Sequence, residues 1–343
     1  VGDDTVLLVG GHGELHVIAG NDAGREMMAH GLQRMSKQQQ LAVRVGAYAV
    51  CTREAGDSLE ILLARCGPDS RFVGEWALPG GGIEWGEHPR DTLVREMAEE
   101  TSLMGAPGRF LAAYAQHVDA KGKFPKGVAM GLLFATRAAD GDPKLGEDEG
   151  TTDEVAWHPM NDLPTLAWNS KVAVELVNDG ARSQAPTEDI PGPGLGIPHR
   201  PRSSRRRLGA YAIATNHDAE VPRILLTRLA PDDPEAGCWN LPGGGVEPGE
   251  SPLEALTREF HEETGLAPTS VAPHEVDSRV YEAWGSKQIK HSVGVIYRAT
   301  ARGNPEVLET DGSTEEAAWF PVDQLGEVQL SQLARATLAH HTF

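Results

Sequence analysis

Apolar positions along this chain come in short runs separated by polar, proline-rich and glycine-rich segments, and a few stretches switch to helical spacing. Gly46 to Val50 and Ile61 to Arg65 read as strands, and Trp76 to Pro79 leads into a glycine turn. The next helix is predicted from about Pro89 to Thr101, followed by strands at Phe110 to Ala115, Val128 to Ala135 and Val155 to Trp157. Pro159 to Leu163 turns the chain, and Ser170 to Leu176 reads as a closing helix. Residues 1–40 match nothing later. Val6 to Val9 and Leu15 to Ile18 suggest a small hairpin around Gly10, Gly11 and Gly13. No Lys-Ser/Thr follows these glycines, so the segment reads as an appendage or a dimer arm, not a phosphate loop.

The pattern then restarts at a fixed distance. Gly46 to Val50 returns as Gly209 to Ile213, Ile61 to Arg65 as Ile224 to Arg228, Trp76 as Trp239 and Gly131 as Gly294, each 163 residues later. Trp157 and Pro159 return as Trp319 and Pro321 at 162, one residue having been lost. An offset held that long marks two copies of one domain, expected at 41–180 and 208–343. Each reads as α+β, a mixed sheet between helices. Residues 181–207 read as a linker, rich in Pro and Gly and ending in Arg200, Arg202, Arg205, Arg206 and Arg207.

Each copy contains a glycine turn followed by a helix crowded with glutamates. Gly244 to Leu266 holds Glu259, Glu262 and Glu263 at i, i+3 and i+4, which gathers them on one flank of the helix. Leu253, Leu256, Phe260 and Thr264 predict its buried stripe. Ser251 to Glu254 forms a capping box with Pro252 in the first turn, and Gly265 is a left-handed stop. Gly81 to Leu103 repeats the device with Glu96, Glu99 and Glu100. Ser102 replaces the closing glycine at a cost of about 1 kcal/mol, and His88 is a weak expected cap. Three carboxylates within two turns repel one another, and only Arg258 (Arg95 in the first copy) is adjacent. Such a group is either a solvated acidic face or an oxygen-ligand site for a hard cation such as Mg²⁺, which also binds diphosphates. Its capping, its spacing and its duplication favour the cation.

Composition narrows the partners. The chain has 31 Lys+Arg against 50 Asp+Glu, a net charge of −19, so general nucleic-acid binding is not expected. A small anionic substrate remains compatible, because a bound cation inverts the local charge. The three cysteines, Cys51, Cys66 and Cys238, have no metal or disulfide spacing. No apolar run reaches the ~18 residues of a membrane span. With Asp3 and Asp4 near the start in place of a basic leader, a cytoplasmic protein is expected.

Gly244, five residues, Glu250, seven residues, then Arg258-Glu259-Phe260-His261-Glu262-Glu263-Thr264-Gly265-Leu266 resembles the Nudix hydrolase signature, as does Gly81…Glu87…Arg95-Glu96-Met97-Ala98-Glu99-Glu100. With the flanking strands the resemblance covers about 40–180 and 208–343. It implies α/β/α sandwich domains and Mg²⁺-dependent hydrolysis of a small-molecule diphosphate, with Mn²⁺ as an alternative ion. Glu259, Glu262 and Glu263, with Glu96, Glu99 and Glu100, would hold the metal. Arg258 and Arg95 would anchor the loop through Glu250 and Glu87. Glu259 or Glu96 would be the simplest general base, although some members use a glutamate from a distant loop. Gly244, Gly245, Gly81 and Gly82 would meet the substrate. Tyr281 stands where members acting on dinucleoside polyphosphates often carry a tyrosine, with Val118 at the matching place, although a core tyrosine is the plainer expectation. Glu154 and Glu316 stand where some members contact a base, with plain surface charge as the alternative. Trp85, in the place of Pro248, is expected either as an exposed stacking face or as a cover for the loop. The rival readings are a nucleotide-sensing module, a pairing of one catalytic half with one binding half, and non-hydrolytic chemistry on a diphosphate. Intramolecular pairing of the domains, or a homodimer, is compatible with all of these.

Overall fold

A computed structural model of the chain describes residues 5–9, 15–19, 42–119, 121, 127–139, 141–146, 151–182, 204–247, 249–282, 289–309, 312–339 and 341. Two short strands, β1 (Thr5–Val9) and β2 (Leu15–Ala19), pair with each other as the expected hairpin, whose glycines lie outside the described residues. The chain divides into two compact units, whose main bodies are residues 41–199 and 200–343.

The first unit runs β3 (Ala42–Val50), β4 (Thr52–Ala55), β5 (Ser58–Cys66), β6 (Trp76–Ala77), β7 (Gly80–Gly82), α1 (Pro89–Thr101), β8 (Gly105–Val118), β9 (Gly127–Ala138), β10 (Thr152–Pro159) and α2 (Trp168–Asn178). One sheet has the order β7-β3-β9-β8 and is mixed, since β3 lies parallel to β9 while β8 and β7 run antiparallel to their neighbours. A second has the order β10-β5-β4, with β6 paired to β5.

The second unit repeats this with β11 (Ser204–Asn216), β12 (Arg223–Leu229), β13 (Trp239–Asn240), β14 (Gly243–Gly245), α3 (Pro252–Thr264), β15 (Thr269–Glu282), β16 (Ile289–Thr300), β17 (Thr314–Pro321), a 3-10 turn (Val322–Glu327) and α4 (Gln332–Leu338). Here β11 is continuous and joins all seven strands into one mixed sheet. The first unit breaks the same path at Cys51.

The domains are α+β with mixed sheets, as their pattern predicts. Long apolar side chains fill both cores. Phe110, Phe134, Leu62, Leu93 and Met97 are fully buried in the first unit. Ile213, Ile224, Leu226, Leu241 and Ile296 cluster in the second with Trp239 and Phe320 against them. Cys51 is buried, which pushes its thiol up to about 12, and Cys51, Cys66 and Cys238 are all free thiols.

Three expectations change. The strands are longer than the apolar runs, because ladder hydrogen bonds continue past the last buried side chain. β11 starts within the expected linker, where Arg205, Arg206 and Arg207 pair in parallel with Lys290, His291 and Ser292. The backbone ladder tolerates that basic run. The glycine turns are short strands, Gly80–Gly82 and Gly243–Gly245, paired with β3 and β11. Residues 183–203 of the expected linker lie outside the described residues.

Candidate active site in each half

α3 is fixed at both ends by its own sequence. Ser251 Oγ accepts from the Glu254 amide at 3.3 Å, and the Glu254 carboxylate accepts from the Ser251 amide at 2.7 Å. Gly265 closes the helix at φ 67°. In α1, where no strong cap is expected, His88 is the N-cap and its Nδ1 accepts from the Arg90 amide at 3.2 Å. Ser102 takes the left-handed stop at φ 57°. Pro252, Ala255, Leu256, Phe260 and Thr264 form the buried stripe of α3, so Ala255 replaces the expected Leu253, which is half-buried.

The glycine strand lies against the glutamate helix. A Cβ on Gly244 would stand 2.5 Å from the Glu259 carboxylate carbon, and one on Gly81 would be 2.5 Å from a Glu96 carboxylate oxygen. Only bare backbone lets those carboxylates lie there. The Gly243 amide donates to Glu263 Oε2 at 2.8 Å, and the Gly80 amide donates to Glu100 Oε2 at 2.9 Å. The other oxygen of each accepts from a threonine hydroxyl, Thr314 at 2.7 Å and Thr152 at 2.9 Å. Glu263 is 3% exposed. Burial, which disfavours the charged form, pushes it up to about 8 and Glu100 to about 7 despite those hydrogen bonds. Burial also raises Glu259 and Glu96, opposed by the adjacent arginines.

Arg258 ties the site together. Its Nε and Nη2 donate to the two oxygens of Glu250 at 2.7 and 2.9 Å. Nη2 also reaches the Gly245 carbonyl at 3.0 Å, while Nη1 donates to Glu259 at 2.7 Å and Glu262 at 3.2 Å. Arg95 makes the same set with Glu87, Gly82, Glu96 and Glu99. Burial pushes Glu87 up, but hydrogen bonds from Arg95, the Glu84 amide and Thr92 outweigh it and hold the carboxyl low.

The three glutamates do not form a closed cage. Among the described residues no three acidic, His or Cys side chains converge on one point as a metal site would require. Arg258 stands between Glu259 and Glu262, and Glu263 is turned to Gly243 and Thr314. The donor set nevertheless fits a hard divalent cation. It is all oxygen, it carries excess negative charge, and Gly244 leaves Glu259 lying on open backbone.

Of the outlying candidates, Tyr281 is 37% exposed near the end of β15, so the expected core position is corrected; it contributes to the field at the Tyr211 hydroxyl, together with Arg207, Glu263 and Arg279. Glu154 and Glu316 are engaged in ion pairs with arginines of the adjacent strand, Arg65 at 2.6 Å and Arg228 at 2.7 Å. Trp85 is 7% exposed, so the exposed stacking face is corrected: its indole is core and covers the loop from within. Pro248 lies outside the described residues.

Two positions escaped the sequence reading. Glu309 lies in the field of both Glu259 and Glu263, and its Oε1 accepts from the Thr314 amide at 2.8 Å. The amides of Leu308 and Glu309 donate to the Glu262 carbonyl at 2.9 and 3.0 Å, which docks this loop on the end of α3. The signal was present at the 162 offset: Pro143, Glu147 and Gly150 match Pro305, Glu309 and Gly312. Glu147 lies outside the described residues. Arg207, assigned to the linker, has its guanidinium 3.3 Å from the point where a Cβ on Gly245 would stand, and Arg44 sits likewise at 3.2 Å from Gly82.

Parts of the chain are similar to known proteins. The chain is 31% identical over 104 residues to an ADP-ribose pyrophosphatase of Methanocaldococcus jannaschii, covering 30% of this chain and 57% of that protein. It is 30% identical over 148 residues to the putative mutator protein MutT4 of Mycobacterium tuberculosis, covering 43% and 57%. It thus spans little more than half the length of these curated relatives. A solved MutT NUDIX hydrolase from Burkholderia pseudomallei is 34% identical, covering 40% of this chain and 99% of that one, with a TM-score of 0.34. The NUDIX domain family profile matches residues 42–177 and again 205–341, and the chain therefore belongs to the Nudix family, with one such domain in each half.

Proposed function

We propose that the chain is a Mg²⁺-dependent pyrophosphohydrolase that cleaves a nucleoside diphosphate linked to another group, with Mn²⁺ able to replace Mg²⁺. The observation that carries the reading is the Glu259 carboxylate laid against the bare backbone of Gly244, braced by Arg258 and repeated at Glu96, Gly81 and Arg95. Glu259, Glu262 and Glu263 would hold the cation in the second half, and Glu96, Glu99 and Glu100 in the first. Held by these carboxylates, a divalent ion would supply charge neutralisation at the diphosphate and a lower pKa for the attacking water.

The chain's own groups do the rest. Arg258, held bidentately by Glu250, fixes the glycine strand relative to α3. The Gly245 amide and Arg207 are the donors that would reach phosphate oxygens, the Gly244 amide being used in its pairing with Ala210. Glu259 and Glu309 are the two candidates for the carboxylate that takes the proton from water, Glu309 being the loop residue. The relatives named as pyrophosphatases support the bond cleaved.

The test is turnover of nucleotide sugars, dinucleotides and nucleoside triphosphates, read as phosphate release after coupling. Glu262→Gln combined with Glu99→Gln should abolish Mg²⁺-dependent turnover. Full activity in that double variant would sink the metal-holding roles.

A further inference from the structure

Both halves carry one short pattern in the strand that pairs with the glycine strand. It reads Arg44-Val45-Gly46-Ala47-Tyr48-Ala49 in β3 and Arg207-Leu208-Gly209-Ala210-Tyr211-Ala212 in β11. Gly46 stands opposite Gly82, and Gly209 opposite Gly245. Residues two apart on a strand share a face, so the arginine, glycine and tyrosine of each copy rise on one side of the sheet.

The tyrosine ring lies back over the glycine of its own strand. A Cβ on Gly46 would stand 2.8 Å from the Tyr48 hydroxyl oxygen, and one on Gly209 would stand 2.9 Å from that of Tyr211. The arginine reaches the neighbouring glycine, its guanidinium 3.2 Å from the Cβ point of Gly82 and 3.3 Å from that of Gly245. Opposed positions on paired strands place their Cβ atoms roughly 5 Å apart, so hydroxyl and guanidinium lie within reach of a single phosphate group. Burial raises both phenols and the arginine of the same copy opposes it, leaving each hydroxyl protonated near neutral pH and able to donate.

Neither arginine is engaged elsewhere. Arg44 and Arg207 are exposed, and among the described residues neither has an ion-pair or hydrogen-bond partner. Arg65, Arg95, Arg228 and Arg258 are all tied to carboxylates, and a chain with 50 Asp+Glu offers many such partners. The tyrosines are half-buried, and no described residue hydrogen-bonds to their hydroxyls. Consecutive residues of a strand point to opposite faces, so the bare glycine strand separates two charges. Glu259 lies on the Gly244 side and Arg207 on the Gly245 side, as Glu96 and Arg44 lie at Gly81 and Gly82.

We propose that each half holds an anion subsite built from this repeat, Arg44 with Tyr48 and Arg207 with Tyr211, which takes one phosphate of the diphosphate across the glycine strand from the glutamates. The subsite rests on the hydrolase reading of the glutamate helix. The two phosphates then have different hosts, carboxylates with their cation on one side and neutral and cationic donors on the other. That division positions the bridging oxygen at the strand, where glycine leaves the backbone bare.

The test uses the full chain with Mg²⁺ and a panel of ADP-ribose, ATP and diadenosine tetraphosphate, with each substitution made in both halves at once. Arg44→Ala with Arg207→Ala should raise KM for the compound turned over about tenfold or more, with kcat within about threefold. Arg44→Lys with Arg207→Lys should recover part of the loss. Tyr48→Phe with Tyr211→Phe keeps both rings and removes only the hydroxyls. That pair should raise KM about threefold or more while the melting midpoint stays within about 2 °C of wild type. Unchanged KM in either the alanine or the Tyr→Phe pair would overturn the subsite while leaving the hydrolase standing. A KM rise in the Tyr→Phe pair with a larger fall in midpoint would also overturn it, because the hydroxyls would then serve the fold. A wild-type chain inert toward the whole panel would overturn both readings.

Discussion

At the scale of single residues, the proposed chemistry turns on Arg258 and Glu309. Arg258 spans three carboxylates and a carbonyl with a planar fork, a task that Lys with its single ammonium cannot perform. Arg258→Lys is expected to lower stability by about 2 kcal/mol in denaturant titration and to reduce kcat as well, because Glu250 and Glu259 lose their common anchor. Glu309 shares the field of Glu259 and Glu263 without sharing Arg258. Glu309→Gln should cut kcat about 100-fold with little change in KM, as loss of a general base does. Steady-state rates check it, and an unaffected kcat would leave Glu259 as the base.

At the scale of the elements, α1 and α3 show how much of a helix is written locally. Both helices begin and end where cap and stop residues place them, Pro89–Thr101 and Pro252–Thr264. The stops differ. Ser102 bears a Cβ in a left-handed conformation and Gly265 does not. Ser102→Gly should stabilise the first half by about 0.5–1 kcal/mol, the relieved strain being offset in part by the freer unfolded chain. A thermal or denaturant midpoint that falls would show that the serine hydroxyl or its neighbours compensate. The buried stripe was legible as a period but not residue by residue. Glu263 stands inside it, and its burial depends on Gly243 and Thr314 from elements far away in sequence.

At the scale of the molecule, the second half carries a pH dependence that lies outside the glutamate helix. His274 and His341 meet edge to face at 5.3 Å. Burial, with Arg298 beside them, holds both below the usual histidine value, His341 down to about 4. The fold therefore favours neutral rings. Their contribution is full above pH about 6.5, where the unfolded chain is also neutral, and it is lost as pH falls toward 4, because the unfolded state takes up protons first. Melting of wild type against His341→Phe between pH 7 and 4 should show the variant losing less stability on acidification. Parallel curves would rule the pair out.

The sequence alone determined the duplication, the α+β class and the composition of the glutamate helices, because periodicity, capping and a fixed offset are local or self-referential signals. It also held the repeated loop glutamate at Glu147 and Glu309, visible once the offset drops by one residue. Only tertiary structure decided what the carboxylates face. Gly244 against Glu259, Arg207 against the Gly245 strand, and Tyr114 over Gly131 all depend on strand register. Register brings together side chains that no spacing along the chain relates. Tertiary packing also buries Trp85, which sequence left as either an exposed stacking face or a cover for the loop.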